Sequence, residues 1–280
     1  MIRSFRAALK VVSWLISLVW RERGERVVFL MYHRVTGTVP LEIDLPFPQF
    51  ERQARWLAAT GSVISLDEAV RRLKERRLCG RTWYVITFDD AYADFHAAVF
   101  PLCRDLGLPV TLYVPTGFLD APGAPPVSRP SAESASMSPI TWAQLQALAR
   151  SPLVTIGGHT HSHRELPTLT DAEVLAEVRL ADDAIAAAIA KPVRHFAYPR
   201  GVWDSRVETV LENRYETITL VGGGAAFAEG FNPMRIPRIP IMRSDGLIWF
   251  RSRIAGRLIW EERLVGWLQG VRRRRARADY

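Results

Sequence analysis

Between Val27 and Val221 the chain alternates short apolar runs with amphipathic helical segments, and this alternation restricts the fold more than any other feature. The apolar runs Val27–Tyr32, Trp83–Phe88, Val110–Val114, Val154–Ile156, His195–Ala197 and Thr217–Val221 have the length and composition of strands. Between them lie helix signals. Ser65-Leu66-Asp67-Glu68 is a capping box that predicts a helix to about Arg77, and Thr141-x-x-Gln144 and Thr170-x-x-Glu173 predict helices to about Arg150 and Ala190. Residues 50–59, 95–106 (closed by Gly107) and 206–213 read as further helices, and residues 115–139, rich in Pro, Ser, Ala and Gly, as a long loop. Alternation of this kind means a parallel sheet, in which chemistry gathers at the C-terminal ends of the strands.

Composition excludes several other classes. In 280 residues, 48% are hydrophobic and 24% charged, as in a packed domain. Two cysteines, Cys79 and Cys103, rule out a disulfide scaffold and a four-cysteine zinc site. The formal charge of +8 is carried by the ends: residues 1–26 and 251–280 are strongly basic, while the middle is slightly acidic. Nucleic acid is therefore not expected as the main partner.

The ends read as basic amphipathic segments. In residues 1–26, Arg3, Arg6, Lys10, Ser13, Ser17 and Arg21 fall at helical spacing among apolar residues. The uncharged run Val11–Trp20 is too short to span a bilayer, and no small-x-small cleavage site follows. A helix lying in a membrane interface is expected, with a helix packed on the domain as the alternative. Residues 244–280 repeat the composition: Leu247, Phe250, Ile254, Leu258, Val265 and Leu268 form one stripe, Trp249, Trp260 and Trp267 fall on the other side, and an arginine cluster, Arg272–Arg275 and Arg277, follows. Gly256, Gly266 and Gly270 weaken the case for one continuous helix. An anionic membrane surface is thus an expected partner and a peripheral location at the inner membrane the expectation, with a final core-packing helix, a solvated tail and a cytoplasmic location as the alternative.

The predicted strand ends hold the reactive side chains. His33 follows the first, Asp89-Asp90 the second, His159, His161 and His163 the fourth, and Tyr198-Pro199-Arg200-Gly201 the fifth. Two adjacent carboxylates point in different directions, so one can hold a metal while the other faces a bound water. Burying both without a cation or donors is costly. Two imidazoles four residues apart with one carboxylate leave coordination positions open, which is how a catalytic rather than a structural metal is held. His161 reads as a hydrogen-bonded loop residue.

Thr-Phe-Asp-Asp (87–90), His-Thr-x-x-His (159–163) with Leu166 beyond, and Phe-Ala-Tyr-Pro-x-Gly (196–201) together resemble the polysaccharide deacetylases, the NodB-like carbohydrate esterases of family 4. Phe29-Leu30-Met31-Tyr32-His33-Arg34-Val35 is similar to the opening of the exopolysaccharide-deacetylating branch. The resemblance covers residues 27–243. It implies an α/β fold, a distorted (β/α)7 barrel, circularly permuted in this branch. It also implies hydrolysis of an N-acetyl group on an amino sugar, in a polysaccharide or a lipid-linked glycan, with one divalent ion, Zn2+ or alternatively Co2+ or Ni2+. By position, Asp89 becomes the general base, Asp90, His159 and His163 the metal ligands, and the Arg200 N–H an oxyanion donor. Tyr198 and Trp203 become candidates for stacking on sugar, with barrel packing as the equal alternative.

The departures are informative. Ala91 stands where many members have glycine. The family arginine that orients the base falls at Ala197, leaving Arg238 or Arg235 as substitutes. The late histidine motif that supplies the acid is absent, so His33 is the expected general acid. A catalytically impaired glycan-binding member is the alternative reading, and an iron(II) oxygenase triad a remoter one.

Overall fold

The computed structural model describes residues 2–19, 24–121, 137–261 and 264. Its centre is a curled sheet of seven parallel strands in the order β6-β5-β4-β3-β2-β1-β7. The strands are β1 (Arg26–Tyr32), β2 (Thr82–Phe88), β3 (Val110–Val114), β4 (Val154–Gly158), β5 (His195–Ala197), β6 (Thr217–Thr219) and β7 (Ile239–Pro240). Isolated bridges Thr219↔Ile236 and Gly222↔Arg238 tie the β6 edge to the segment leading into β7, so the curl is drawn almost into a ring.

β1 is buried along its whole length, as expected of a strand covered on both faces. Its register with β2, Tyr32↔Phe88, brings both strands to their C-terminal ends at the same level. The Tyr32 and Phe88 rings stack there at 5.1 Å, flooring the ground on which His33 and Asp89 stand. Around the sheet lie α2 (Phe47–Thr60), α3 (Leu66–Lys74), α4 (Phe100–Asp105), α6 (Trp142–Ala149), α7 (Asp171–Ile189) and α8 (Ser205–Leu211). Reciprocal capping boxes open α6 and α7, and Ser65 caps α3 through the Glu68 N–H.

Several elements differ from the sequence expectation. The helix of residues 95–106 begins as a π-turn, Phe95–Val99, before α4; Pro101 has no N–H to give to that turn. Strand β4 runs two residues further, through Gly157 and Gly158, to the edge of His159. A Cβ at Gly157 would meet the Tyr113 ring at 2.6 Å, so only glycine lets the strand pass. Part of the expected long loop is a short helix, α5 (Thr116–Asp120), and β7 is a two-residue strand with a proline, below the threshold of any periodicity.

The first helix, α1 (Ile2–Ile16), is present. The C-terminal segment begins as α9 (Leu247–Ile254), with Phe250, Ile254 and Leu258 buried as the stripe predicts. The helix stops at Ala255 and turns at Gly256 (φ 74°) before a further helical turn, so it is not continuous. Val265, Trp267, Leu268 and the arginine cluster lie outside the described residues.

Candidate active site

All strands being parallel, the loops after β1, β2, β4 and β5 emerge at one end of the sheet, and the three motifs meet there. Their backbones are unusual. Asp90 (φ 71°), Ala91 (φ 52°), Thr160 (φ 65°), His163 (φ 55°) and Arg200 (φ 56°) are all left-handed without being glycine. Such conformations cost roughly 1 kcal/mol or more apiece and persist where surroundings impose them, characteristically at functional sites.

Asp90, His159 and His163 converge. The Asp90 Oδ1 lies 3.6 Å from His159 Nε2 and 3.4 Å from His163 Nε2, and the two Nε2 atoms are 3.1 Å apart. All three residues are buried. His159 Nδ1 sits 2.7 Å from the Ala197 carbonyl, which can only accept; the proton is therefore on Nδ1 and a lone pair on Nε2. Burial lowers the pKa of both imidazoles, with neighbouring His159 adding to the effect on His163, so both rings are neutral donors.

Asp90 Oδ1 is buried with no hydrogen-bond partner. Burial, and then the charge of Asp89, push the Asp90 carboxyl well above its ordinary range. An orphaned carboxylate oxygen facing the Nε2 atoms of two neutral imidazoles suits a divalent cation, and this donor set fits the ion that the motifs imply.

Asp89 faces the other way. Arg238, wholly buried, grips it with both prongs, Nη1 to Oδ1 at 2.6 Å and Nη2 to Oδ2 at 2.8 Å. Arg238 also donates to the Leu220 carbonyl at 3.2 Å and to Thr87 Oγ1 at 3.2 Å, which fixes the plane of the guanidinium. Burial alone would raise the Asp89 pKa; the Arg238 charge, helped by His159 and His33, overrides it and holds the carboxyl at about 2. Of the two substitutes considered for the missing arginine at Ala197, the structure brings Arg238 to Asp89. Arg235 lies elsewhere, paired with Glu208 at 2.7 Å.

His33 stands beside this pair. Its side chain is half-buried. Burial, offset in part by Asp89 and reinforced by Arg238, lowers its pKa to about 4. Arg200 occupies the turn after β5, its backbone left-handed and its side chain 3.6 Å from Glu165.

Two expectations about aromatic side chains need different treatment. Tyr198 is fully buried, edge-on to Phe196 and packed in a core cluster with Val207, Leu211 and Ile218. That corrects the sugar-stacking expectation: its ring has no face to offer. Trp203 is half-buried, with the Arg235 guanidinium 4.7 Å above one face of its ring.

His161 turns away from the cluster and bonds Thr116 Oγ1 at 2.9 Å. A brace unmarked in the sequence lies behind it. Glu177, on α7, accepts the N–H groups of His161 (3.2 Å) and Ser162 (2.8 Å) and the Ser162 hydroxyl (2.6 Å), clamping the loop between His159 and His163. No local signal distinguishes Glu177 from the other acidic residues of an exposed helix face.

Residues 79–216 match the model of the family described as polysaccharide deacetylase. Among solved structures, the chain is similar to the deacetylase PplD of Streptococcus pyogenes, determined in complex with acetate (TM-score 0.69, 19% identity, 83% of this chain and 99% of that one). It is also similar to IcaB of Ammonifex degensii (TM-score 0.67, 18% identity, 85% and 98%) and to the deacetylase domain of BpsB of Bordetella bronchiseptica (TM-score 0.62, 22% identity, 78% and 96%). At these identities the likeness is one of fold. YxkH of Bacillus subtilis (strain 168) is 27% identical over 94 residues, and the match spans only 33% of its length. With its three motifs gathered at one end of this sheet, the chain carries a polysaccharide deacetylase domain over residues 79–216.

Proposed function

We propose that this protein is a metal-dependent N-deacetylase that hydrolyses the acetamide of an amino sugar in a polysaccharide or a lipid-linked glycan. The observation that carries this reading is the buried meeting of Asp90 Oδ1 with the Nε2 atoms of His159 and His163. Asp90, His159 and His163 would hold the ion, Zn2+ first and Co2+ or Ni2+ as the other ions the set accepts. When bound, such an ion supplies Lewis acidity that makes water nucleophilic and polarises a carbonyl.

The chain's own groups divide the remaining work. Asp89, ionised because Arg238 faces it, accepts the proton of the attacking water. Arg238 orients that carboxylate and keeps it from coordinating in place of Asp90. The Arg200 N–H, presented by its left-handed turn, donates to the oxygen on which negative charge develops. His33, neutral in the resting site, gains proton affinity as that charge builds, takes up a proton from solvent and passes it to the leaving amine, while Asp89 releases the water's proton to solvent as the site resets. Similarity of the amino-terminal motif to the exopolysaccharide branch favours a polymeric glycan.

The impaired-binder reading rested on Ala197. With Arg238 already engaging Asp89 through two hydrogen bonds, that ground is weakened.

Metal analysis of purified protein, combined with acetate release from N-acetylglucosamine oligomers, tests the proposal. One equivalent of transition metal, activity abolished by chelator and restored by Zn2+ or Co2+, and loss of both metal and activity in Asp90→Ala are expected. Stoichiometric metal with no acetate release from any N-acetylated glycan would overturn it.

A further inference from the structure

In a water-soluble domain a surface helix turns its apolar face inward. Helix α1 does the opposite. Lys10, Ser13 and Ser17, at helical spacing, are its buried stripe. Lys10 reaches the buried Asp245 carboxylate at 2.7 Å and the Ser244 carbonyl at 3.0 Å. Ser13 Oγ donates to the Arg257 carbonyl at 3.1 Å and accepts the Glu261 N–H at 3.3 Å. Asp245 in turn is bound by Arg253, which also pairs with Glu261 at 3.0 Å, all of them buried. The polar face of α1 is thus locked onto the protein, leaving the apolar face outside.

That outer face is large. Val11, Val12, Leu15, Ile16 and Leu18 are exposed, Val19 is 80% exposed, and Ile248 on α9 is 78% exposed. Between α1 and α9 opens a groove of about 450 Å³ walled by Trp14, Trp56 and Tyr84, with Ile248 on its rim and Arg251 and Arg257 in its lining. Apolar residues projecting outward, aromatic rings beside them and guanidinium groups among the rings are the order of side chains met on passing from acyl chains to phosphate headgroups. Among the described residues no helix is long and apolar enough to cross a membrane, so the geometry is that of lying on one.

Two occupants compete for this face, a bilayer and a second copy of the chain. Charge decides between them. Both terminal segments are strongly basic, so pairing two copies through this face would set cationic surfaces against each other. An anionic lipid surface has the complementary sign.

We infer that the outer face of α1 and the adjoining Arg251–Arg257 groove form a docking surface for an anionic membrane, with the apolar residues entering the interface and the arginines meeting lipid phosphate. The inference is independent of the deacetylase reading, and so is its test. The full chain is sedimented with phosphatidylcholine vesicles with and without about 30% phosphatidylglycerol, and its mass in solution is measured by light scattering. Binding to anionic vesicles, weak binding to neutral ones and a monomeric mass are expected. Leu15→Glu with Leu18→Glu should reduce partitioning at least about 10-fold. Arg251→Glu with Arg257→Glu should reduce the preference for anionic lipid several-fold. All four positions are solvent-facing or groove-lining, and circular dichroism and Tm confirm that the variants fold. Failure to bind either vesicle, or a dimer that Leu15→Glu with Leu18→Glu dissociates, would overturn the inference.

Discussion

Arg238 and Asp89, 149 residues apart in the chain, meet through two charge-assisted hydrogen bonds of 2.6 and 2.8 Å inside the protein. The pair decides the protonation of the proposed base. Without the guanidinium, burial would act on Asp89 against only the smaller pull of His159 and His33, and its pKa would rise. Arg238→Ala should therefore move the acid limb of the kcat/KM profile from very low pH toward neutrality. Activity at pH 7 should fall by about 100-fold or more, and the unpaired buried charge should lower stability by about 3 kcal/mol. Arg238→Lys, which keeps the charge but not the fork, should show a smaller shift in the profile and a loss concentrated in kcat.

His33 is assigned a role in proton transfer and none in holding the ion. His33→Ala should leave metal content near wild type while turnover falls by about 100-fold. Isothermal titration of the metal-free protein with Zn2+, set beside kcat, separates the two effects, and near-normal turnover would remove His33 from the mechanism.

Glu177 touches none of Asp90, His159 and His163, yet it accepts three hydrogen bonds from the loop between the two histidines. Outer supports of this kind are worth about 10-fold or more in metal affinity. Glu177→Ala should weaken Zn2+ binding by that factor in a competition assay against a chromophoric chelator, while metal-free Tm changes little. Unchanged affinity would mean that the loop holds its shape by its own turns.

Ala91 is buried and left-handed, a conformation glycine adopts without strain. Ala91→Gly should be within about 0.5 kcal/mol of wild type by chemical denaturation, because relief of strain offsets the greater entropy of the unfolded chain. Ala91→Val, with a branched Cβ at the same φ, should cost about 2 kcal/mol or more and reduce metal content through the adjacent Asp90.

Burial acts to raise the Asp245 pKa, but the facing Arg253 and Lys10 lower it below the ordinary 3.8. A carboxyl depressed in the folded state contributes stability that is fully present above 3.8 and is lost as pH falls through the folded value. Asp245→Asn should thus be less stable than wild type at pH 7, by about 3 kcal/mol for a buried pair broken on one side. The gap should narrow only below pH 3.8, as denaturation midpoints measured from pH 7 to pH 2.5 will show.

What the sequence made legible follows the physics of each signal. Six of the seven strands announce themselves as apolar runs, and the capping boxes at Ser65, Thr141 and Thr170 mark helix starts because the side chain and the orphan N–H are close in sequence. The site's principal residues are legible because motif loops follow strands directly. Strand β7 is not, since two residues carry no period and one is proline. Glu177 and the pairing of Lys10 with Asp245 are not, because each depends on segments far apart in the chain. Tyr198 misleads because a motif position tells nothing of which way a ring points; here β5 turns it into the core. For α1 the amphipathic pattern is plain, but periodicity alone does not reveal which of its two faces the protein keeps.

The clasp joining Lys10 and Ser13 to Asp245, Arg257 and Glu261 has a practical consequence for anyone shortening this polypeptide. Trimming the first nineteen residues to gain a better-behaved reagent would strip the greasy exterior. It would also uncover a socket built to receive an ammonium and a hydroxyl. Replacing the outward valines and leucines of that helix with polar residues, while sparing its inward Lys10, Ser13 and Ser17, is the gentler route to a soluble preparation.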